Sequence, residues 1–199
     1  MLAAVPDVVK ADTMVRMGDW SKVSGHELGA LTVGLVGFGD VGRRVAVRLS
    51  GFDSTVLAYD PFVDVAAMQP LGVKAAALEE LLEMCDVVTL HRPGGVCVFD
   101  ASAVARLRRG AVLVNTSRAD LLDEEAVSRA LHEGRLGAFA SDVIRHESGR
   151  VSPLLSAPHT TFSPHCGAST VEAVDRLGRV AVEEMLNVLN GNPPEHRVA

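Results

Sequence analysis

Between Leu31 and Val143 this chain alternates two kinds of stretch. "LTVGLVG" (31–37), "STVLAYD" (54–60), "DVVTL" (86–90), "AVLVNTS" (111–117) and "LGAFASDV" (136–143) are apolar or β-branched with no polar alternation. Strands covered on both faces read this way. Between them "DVGRRVAVRLS" (40–50), "AALEELLEMC" (76–85), "SAVARLR" (102–108, stopped by Gly110) and "DEEAVSRALHEG" (123–134, closed by Gly134) read as helices. Strands separated by helices form βαβ units, and right-handed crossovers build them into one parallel sheet wound in both directions. The expected class is α/β, a doubly wound parallel sheet in three αβα layers. The 199 residues suffice for one well-filled core, or one core with a small appendage.

Two segments lie outside the alternation. Residues 1–20 begin with a helix, and "GHELGA" leads into the first strand. Residues 169–199 carry a long amphipathic helix that ends at Gly191 and the Pro193–Pro194 pair; Ser169 with Glu172 has the spacing of a capping box. The expected division is 1–20, 21–168 and 169–199. A net charge of −6 and 4% aromatic residues argue against a nucleic-acid binder. Cys85, Cys97 and Cys166 are scattered, which suits a reducing, cytoplasmic setting. No apolar run reaches the roughly 18 residues of a membrane span. The start, broken by Pro6, lacks the basic and apolar regions of a signal peptide. No metal site is read from the spacings.

The turn from the first strand into the first of these helices is "GFGDVG" (37–42). Gly37 lets the chain turn sharply, Gly39 lets backbone approach a pyrophosphate, and Gly42 lets the helix pack on the strand. Asp40 and Val41 stand at the helix N-terminus, whose amides and dipole favour phosphate. Asp60 ends the second strand, 18 positions after Gly42, where a carboxylate accepts hydrogen bonds from ribose hydroxyls. This is the Rossmann-type fingerprint. Asp60 would repel the 2′-phosphate of NADP, and Pro61 and Phe62 after it bring no cation. NAD is therefore the expected cofactor.

A dinucleotide fold names no reaction by itself. Arg118 follows a buried strand at its carboxyl end, where ligands bind in open α/β sheets; alternatively, it pairs at the surface with Asp120 or Asp123. Asp142 ends the next strand, with Glu147 five positions on; a polar loop is the alternative. His165 stands before the C-terminal helix, and a lone histidine is more often structural than catalytic.

With "GFGDVG", "AYDP", "LHRP", "NTSRADLLDEEA", "SDV" followed by Glu147, "SPLL" and "SPHCGAST" in this order, the chain resembles the D-isomer-specific 2-hydroxyacid dehydrogenases from about Asp12 onward. The resemblance implies an NAD-dependent oxidoreductase that moves a hydride between NAD(H) and a small 2-hydroxy or 2-keto acid. It implies that Arg118 holds the substrate carboxylate and keto oxygen, that His165 is the acid/base, and that Glu147 orients His165. By the same resemblance Asp142 binds the nicotinamide carboxamide, and Arg92, Thr116, Ser117, Gly167 and Ala168 join the glycine turn in lining the dinucleotide. The chemistry suits these residue types. Histidine titrates near neutrality, a carboxylate partner favours its charged form, and arginine forks onto a carboxylate.

The chain departs from the family pattern in three places. "LHRPGGVCVFD" is short and lacks threonines after the His-x-Pro element. "IRHES" replaces an acidic, proline-containing stretch. Met1 aligns with the helix that crosses between two lobes, so residues 1–20 read as a remnant of a substrate lobe of roughly 100 residues. Weak or absent turnover is the expectation for the chain alone. The alternative function is an NAD(H)-binding module without turnover; a different Rossmann enzyme, such as a methyltransferase, would not combine Arg118, Glu147 and His165. The apolar Met1, Leu2, Val5, Val8, Val9, Met14, Val15, Met17 and Trp20 suggest a homodimer.

Overall fold

A computed structural model describes every residue except Pro6, 146–151 and 195–199. The chain forms two compact units, Met1–Pro164 and His165–Ala199. The first contains α1 (Val8–Arg16), β1 (Thr32–Val36), α2 (Asp40–Leu49), β2 (Thr55–Tyr59), β3 (Lys74–Ala75), α3 (Leu78–Met84), β4 (Val87–Leu90), α4 (Ala101–Arg106), β5 (Ala111–Asn115), α5 (Glu124–His132), β6 (Leu136–Ser141) and β7 (Thr160–Phe162). The second contains α6 (Val171–Leu189).

The strands form one sheet in the order β3-β2-β1-β4-β5-β6-β7, and every pairing is parallel. After β3 the chain crosses back over β1 to begin β4, so the winding reverses between β1 and β4. Successive side chains of a strand point to opposite faces, and the core is accordingly double. Val33 and Leu35 of β1 pack with Phe38, Ala46, Leu49, Val56 and Met68 on the α2 face. Val36 packs with Leu81, Leu82, Phe99, Leu131 and Phe139 on the other. The expected α/β class, with helices on both sides of a parallel sheet, is the observed one. At Gly34 a Cβ would lie 2.5 Å from the Leu81 side chain, so α3 rests directly on β1 there.

Several boundaries differ from expectation for local reasons. β5 stops at Asn115 rather than 117 because the Asn115 side chain takes up the backbone that follows: Oδ1 accepts from Ser117 N at 3.0 Å, and Nδ2 donates to Arg118 O at 2.9 Å. β6 stops at Ser141 rather than 143, where Ser141 Oγ lies within hydrogen-bond distance of both Asn115 O and Val143 O and accepts from Val143 N. β3 and β7, with two and three residues, are too short to show a sequence period. In the N-terminal segment α1 covers only Val8–Arg16. The cap of α6 is Thr170, whose side chain accepts from Ala173 N at 3.1 Å, and not the expected Ser169. The hydroxyl one position later reaches the third amide of the helix that actually forms.

Candidate functional site

The glycine turn lies where the winding reverses. Gly37 has φ +103°, its amide donates to Tyr59 O at 2.8 Å, and a Cβ there would lie 2.4 Å from His91 O. At Gly42 a Cβ would lie 2.3 Å from Gly37 O. Both glycines are required by the chain's own packing. Gly39 is different: its φ is −72°, and a Cβ there would meet nothing within 4 Å. The space above Gly39 opens onto the first turn of α2, where Asp40 is exposed and Val41 is 58% exposed. That turn offers amides with no partner inside the helix, at the positive end of its dipole.

The Asp60 carboxylate is fixed beside this space. Its Oδ2 accepts from Phe38 N at 2.7 Å and its Oδ1 from Phe62 N at 2.9 Å. Each oxygen keeps a second acceptor position. A cavity of about 190 Å³ is lined by Gly37, Gly39, Asp60, Phe62, His91 and Arg92, among others. Open backbone at Gly39, a helix start and a held carboxylate with acceptor capacity to spare fit the phosphates and ribose of an adenine dinucleotide.

His91 forms the floor between this cavity and a second one of about 220 Å³, lined among others by Met1, Val45, Thr89, Val114 and Thr116. Thr116 therefore lines the second cavity, while Asp60 and Arg92 line the first. His91 Nε2 lies 3.2 Å from Thr89 Oγ1, and its Nδ1 is buried with no hydrogen-bond partner among the described residues. Burial lowers the His91 pKa from 6.5 to about 4, so the ring is neutral at pH 7.

At the end of β5, Asn115 is fully buried and ties two expected site residues together. Its side chain holds the backbone of Ser117 and Arg118, and its carbonyl accepts from Asp142 N at 3.0 Å. Ser117 Oγ donates to Leu90 O at 2.8 Å, which anchors the turn to β4. Arg118 is exposed, and Nη1 donates to Ser117 O at 2.8 Å. Surface pairing with Asp120 or Asp123 is not what the structure shows. Asp120 Oδ2 accepts from Gly95 N at 2.7 Å, and Asp123 caps α5 through Glu125 N and Ala126 N. The short loop after β4 settles against this turn because it is glycine: a Cβ on Gly94 would lie 2.6 Å from Asp120 Oδ1. Asp142 is 7% exposed, and its Oδ1 accepts from Ser163 Oγ.

His165 begins the second unit, with Gly167 and Ala168 close behind. Its φ is +52°, an uncommon conformation for a residue with a side chain. Glu147 lies outside the described residues. Sequence reasoning overlooked Asn115 and His91 as parts of the site. The signal for Asn115 was available: an amide closing an otherwise apolar strand is buried, and a buried amide must be hydrogen-bonded.

Known proteins resemble this chain in sequence and in fold. The family described as "D-isomer specific 2-hydroxyacid dehydrogenase, NAD binding domain" matches residues 1–167. The D-3-phosphoglycerate dehydrogenase of Mycobacterium leprae is 36% identical over 196 residues, which is 96% of this chain and 37% of that protein. The protein of the same name from Methanocaldococcus jannaschii is 32% identical over 204 residues, covering 100% of this chain and 39% of its own length. Among solved structures, a glyoxylate reductase from Paecilomyes thermophila superposes with a TM-score of 0.87 at 28% identity, over 94% of this chain and 58% of that one. The chain thus spans less than two fifths of the length of these curated relatives.

Proposed function

The chain belongs to the D-isomer-specific 2-hydroxyacid dehydrogenases as their NAD-binding domain, and from that premise we propose that it serves hydride transfer between NAD(H) and a small 2-hydroxy or 2-keto acid. Bound NAD(H) supplies or accepts the hydride. The amides at the start of α2 hold the pyrophosphate over Gly39, and Asp60 accepts from the ribose hydroxyls, which favours NAD over NADP. Asp142, already oriented by Ser163 and by its backbone bond to Asn115, accepts from the nicotinamide carboxamide. Arg118 grips the substrate carboxylate and polarises the keto oxygen, His165 moves the proton at that oxygen, and Glu147 orients His165. Thr116, Ser117, Gly167 and Ala168 complete the dinucleotide surface.

The observation that carries this reading is the state of Arg118. Asn115 fixes its backbone at the carboxyl end of β5, while the neighbouring carboxylates are engaged elsewhere. That leaves its fork for an incoming carboxylate. The described segment 1–20 leaves Leu2, Val8, Val9, Val15, Met17 and Trp20 exposed, although Val5 is buried in the chain's own core. That surface supports a homodimer. Among the described residues no helix is long and apolar enough to cross a membrane, and three free cysteines suit a cytoplasmic setting.

The test is NADH oxidation with glyoxylate, hydroxypyruvate and phosphohydroxypyruvate, run beside a fluorescence titration of NADH. Weak turnover of at least one keto acid, lost in Arg118→Gln and His165→Ala while NADH still binds, is the expected result. NADH binding with no turnover of any of the three would leave the chain a binding module. Failure to bind NADH would sink the reading entirely.

A further inference from the structure

We propose that Arg92 is a specificity-determining residue at the adenosine end of the site. Its guanidinium offsets the exclusion of a 2′-phosphate by Asp60, so the chain accepts NADP(H) more readily than Asp60 alone would allow. The inference rests on the dinucleotide reading above.

Next to Asp60 the sequence offers no positive charge. Pro61 and Phe62 bring no cation there. The fold brings one from 32 positions further along. β2 and β4 flank β1 in the sheet. Asp60 stands one residue past β2 and Arg92 two residues past β4, so they rise on either side of the glycine turn, about 10 Å apart at two strand spacings. Both line the same cavity, with Pro61 and Phe62 on the Asp60 side and His91 and Pro93 on the Arg92 side.

Neither group spends its charge on the other. Among the described residues no ion pair within 4.0 Å joins them, and Arg92 makes no side-chain hydrogen bond. Asp60 cannot swing across without giving up its bonds from Phe38 N and Phe62 N. Arg92, half-buried and with no side-chain partner among the described residues, therefore lines a ligand cavity with its charge uncommitted. The neutral 2′-hydroxyl of NAD gains from Asp60 and little from Arg92. A 2′-phosphate is repelled by Asp60 and attracted by Arg92, whose planar fork matches phosphate oxygens. The pyrophosphate, common to both cofactors, is served by the opening over Gly39 and the start of α2.

The experiment is equilibrium titration of the full chain with NADH and NADPH by nicotinamide fluorescence, with 5′-AMP and 2′,5′-ADP as competitors. Wild type, Arg92→Gln, Arg92→Lys and Asp60→Ala are compared, with melting curves to confirm folding. Arg92→Gln is expected to weaken NADPH and 2′,5′-ADP about tenfold more than it weakens NADH and 5′-AMP, a difference of about 1.4 kcal/mol. Arg92→Lys retains part of the effect. Asp60→Ala tightens NADPH and weakens NADH. An equal loss of both cofactors in Arg92→Gln would place Arg92 on a shared group and overturn the proposal. No effect on either, or wild-type binding of NADH with none of NADPH, overturns it as well. Absence of any NADH binding by wild type is a separate result: it removes the dinucleotide reading from which this one starts.

Discussion

Gly39→Ala separates a glycine required by a ligand from one required by the fold. At Gly39 the backbone has φ −72°, which alanine adopts freely, and the added methyl meets no protein atom within 4 Å. Two small terms then decide stability. Alanine restricts the unfolded chain, a gain of about 0.4–1 kcal/mol. Gly39 is also the N-cap of α2, where glycine is preferred to alanine, a loss of about 0.5–1 kcal/mol. They nearly cancel, so urea unfolding should place Gly39→Ala within about 1 kcal/mol of wild type. The same methyl occupies the space through which a pyrophosphate reaches the first amides of α2. NADH affinity is expected to fall at least tenfold, about 1.4 kcal/mol. Gly42→Ala behaves in the opposite way. Its methyl would lie 2.3 Å from Gly37 O, an overlap that must displace α2 from the turn, and overpacking of this kind costs about 1–3 kcal/mol or more. Two titrations and two unfolding curves test the contrast. A Gly39→Ala protein destabilised by more than about 2 kcal/mol, or one that binds NADH as wild type does, would refute the assignment of that opening to a ligand.

Asn115→Leu removes both bonds to the turn that carries Arg118 and strands Ser117 N and Arg118 O. At about 1–3 kcal/mol for each unsatisfied buried group, reduced because the turn is partly exposed, a loss of about 2–4 kcal/mol is expected in urea unfolding; a change below about 0.5 kcal/mol would show that the amide is not the hub. For His91 the folded pKa of about 4 lies below the ordinary 6.5, so the unfolded chain takes up the proton first. Stability should therefore be full above about pH 6.5 and fall as pH drops toward 4. Melting temperatures of wild type and His91→Gln between pH 7 and 5 should show a steeper decline in wild type; parallel curves would contradict this. Cys85 is buried, and desolvation, with Asp86 beside it, raises its pKa from 9.0 to about 12. A thiol reagent at pH 8 should label Cys97 and Cys166 in the native protein and reach Cys85 only after denaturant is added.

Much of the site could be read directly from the chain, for reasons specific to each residue. The glycines announce themselves because only a residue without a side chain fits φ +103° at Gly37 or the contact at Gly42. Asp60 is legible because one βαβ unit sets the distance from glycine turn to ribose, and that unit is local in sequence. Arg118 could be placed at a strand end, but its partners could not: whether Asp120 and Asp123 take its charge depends on Gly95 and on the cap of α5. The capping residue of α6 was missed by one position because Ser169 and Thr170 both carry a hydroxyl, and the backbone decides which of them enters the helix.

By itself the sequence determined the parallel, doubly wound sheet and the glycine–acid pair beside it, since hydrophobic period, turn residues and helix caps act over a few neighbouring positions. Only the tertiary structure decided what faces what. The crossover from β3 to β4 sets Arg92 opposite Asp60, the register of β5 with β6 hangs Asp142 on Asn115, and close packing under the glycine turn buries His91 and keeps it neutral. Charge, burial and proximity between residues distant in sequence arise from how strands are ordered in the sheet, and a local pattern of side chains does not encode that order.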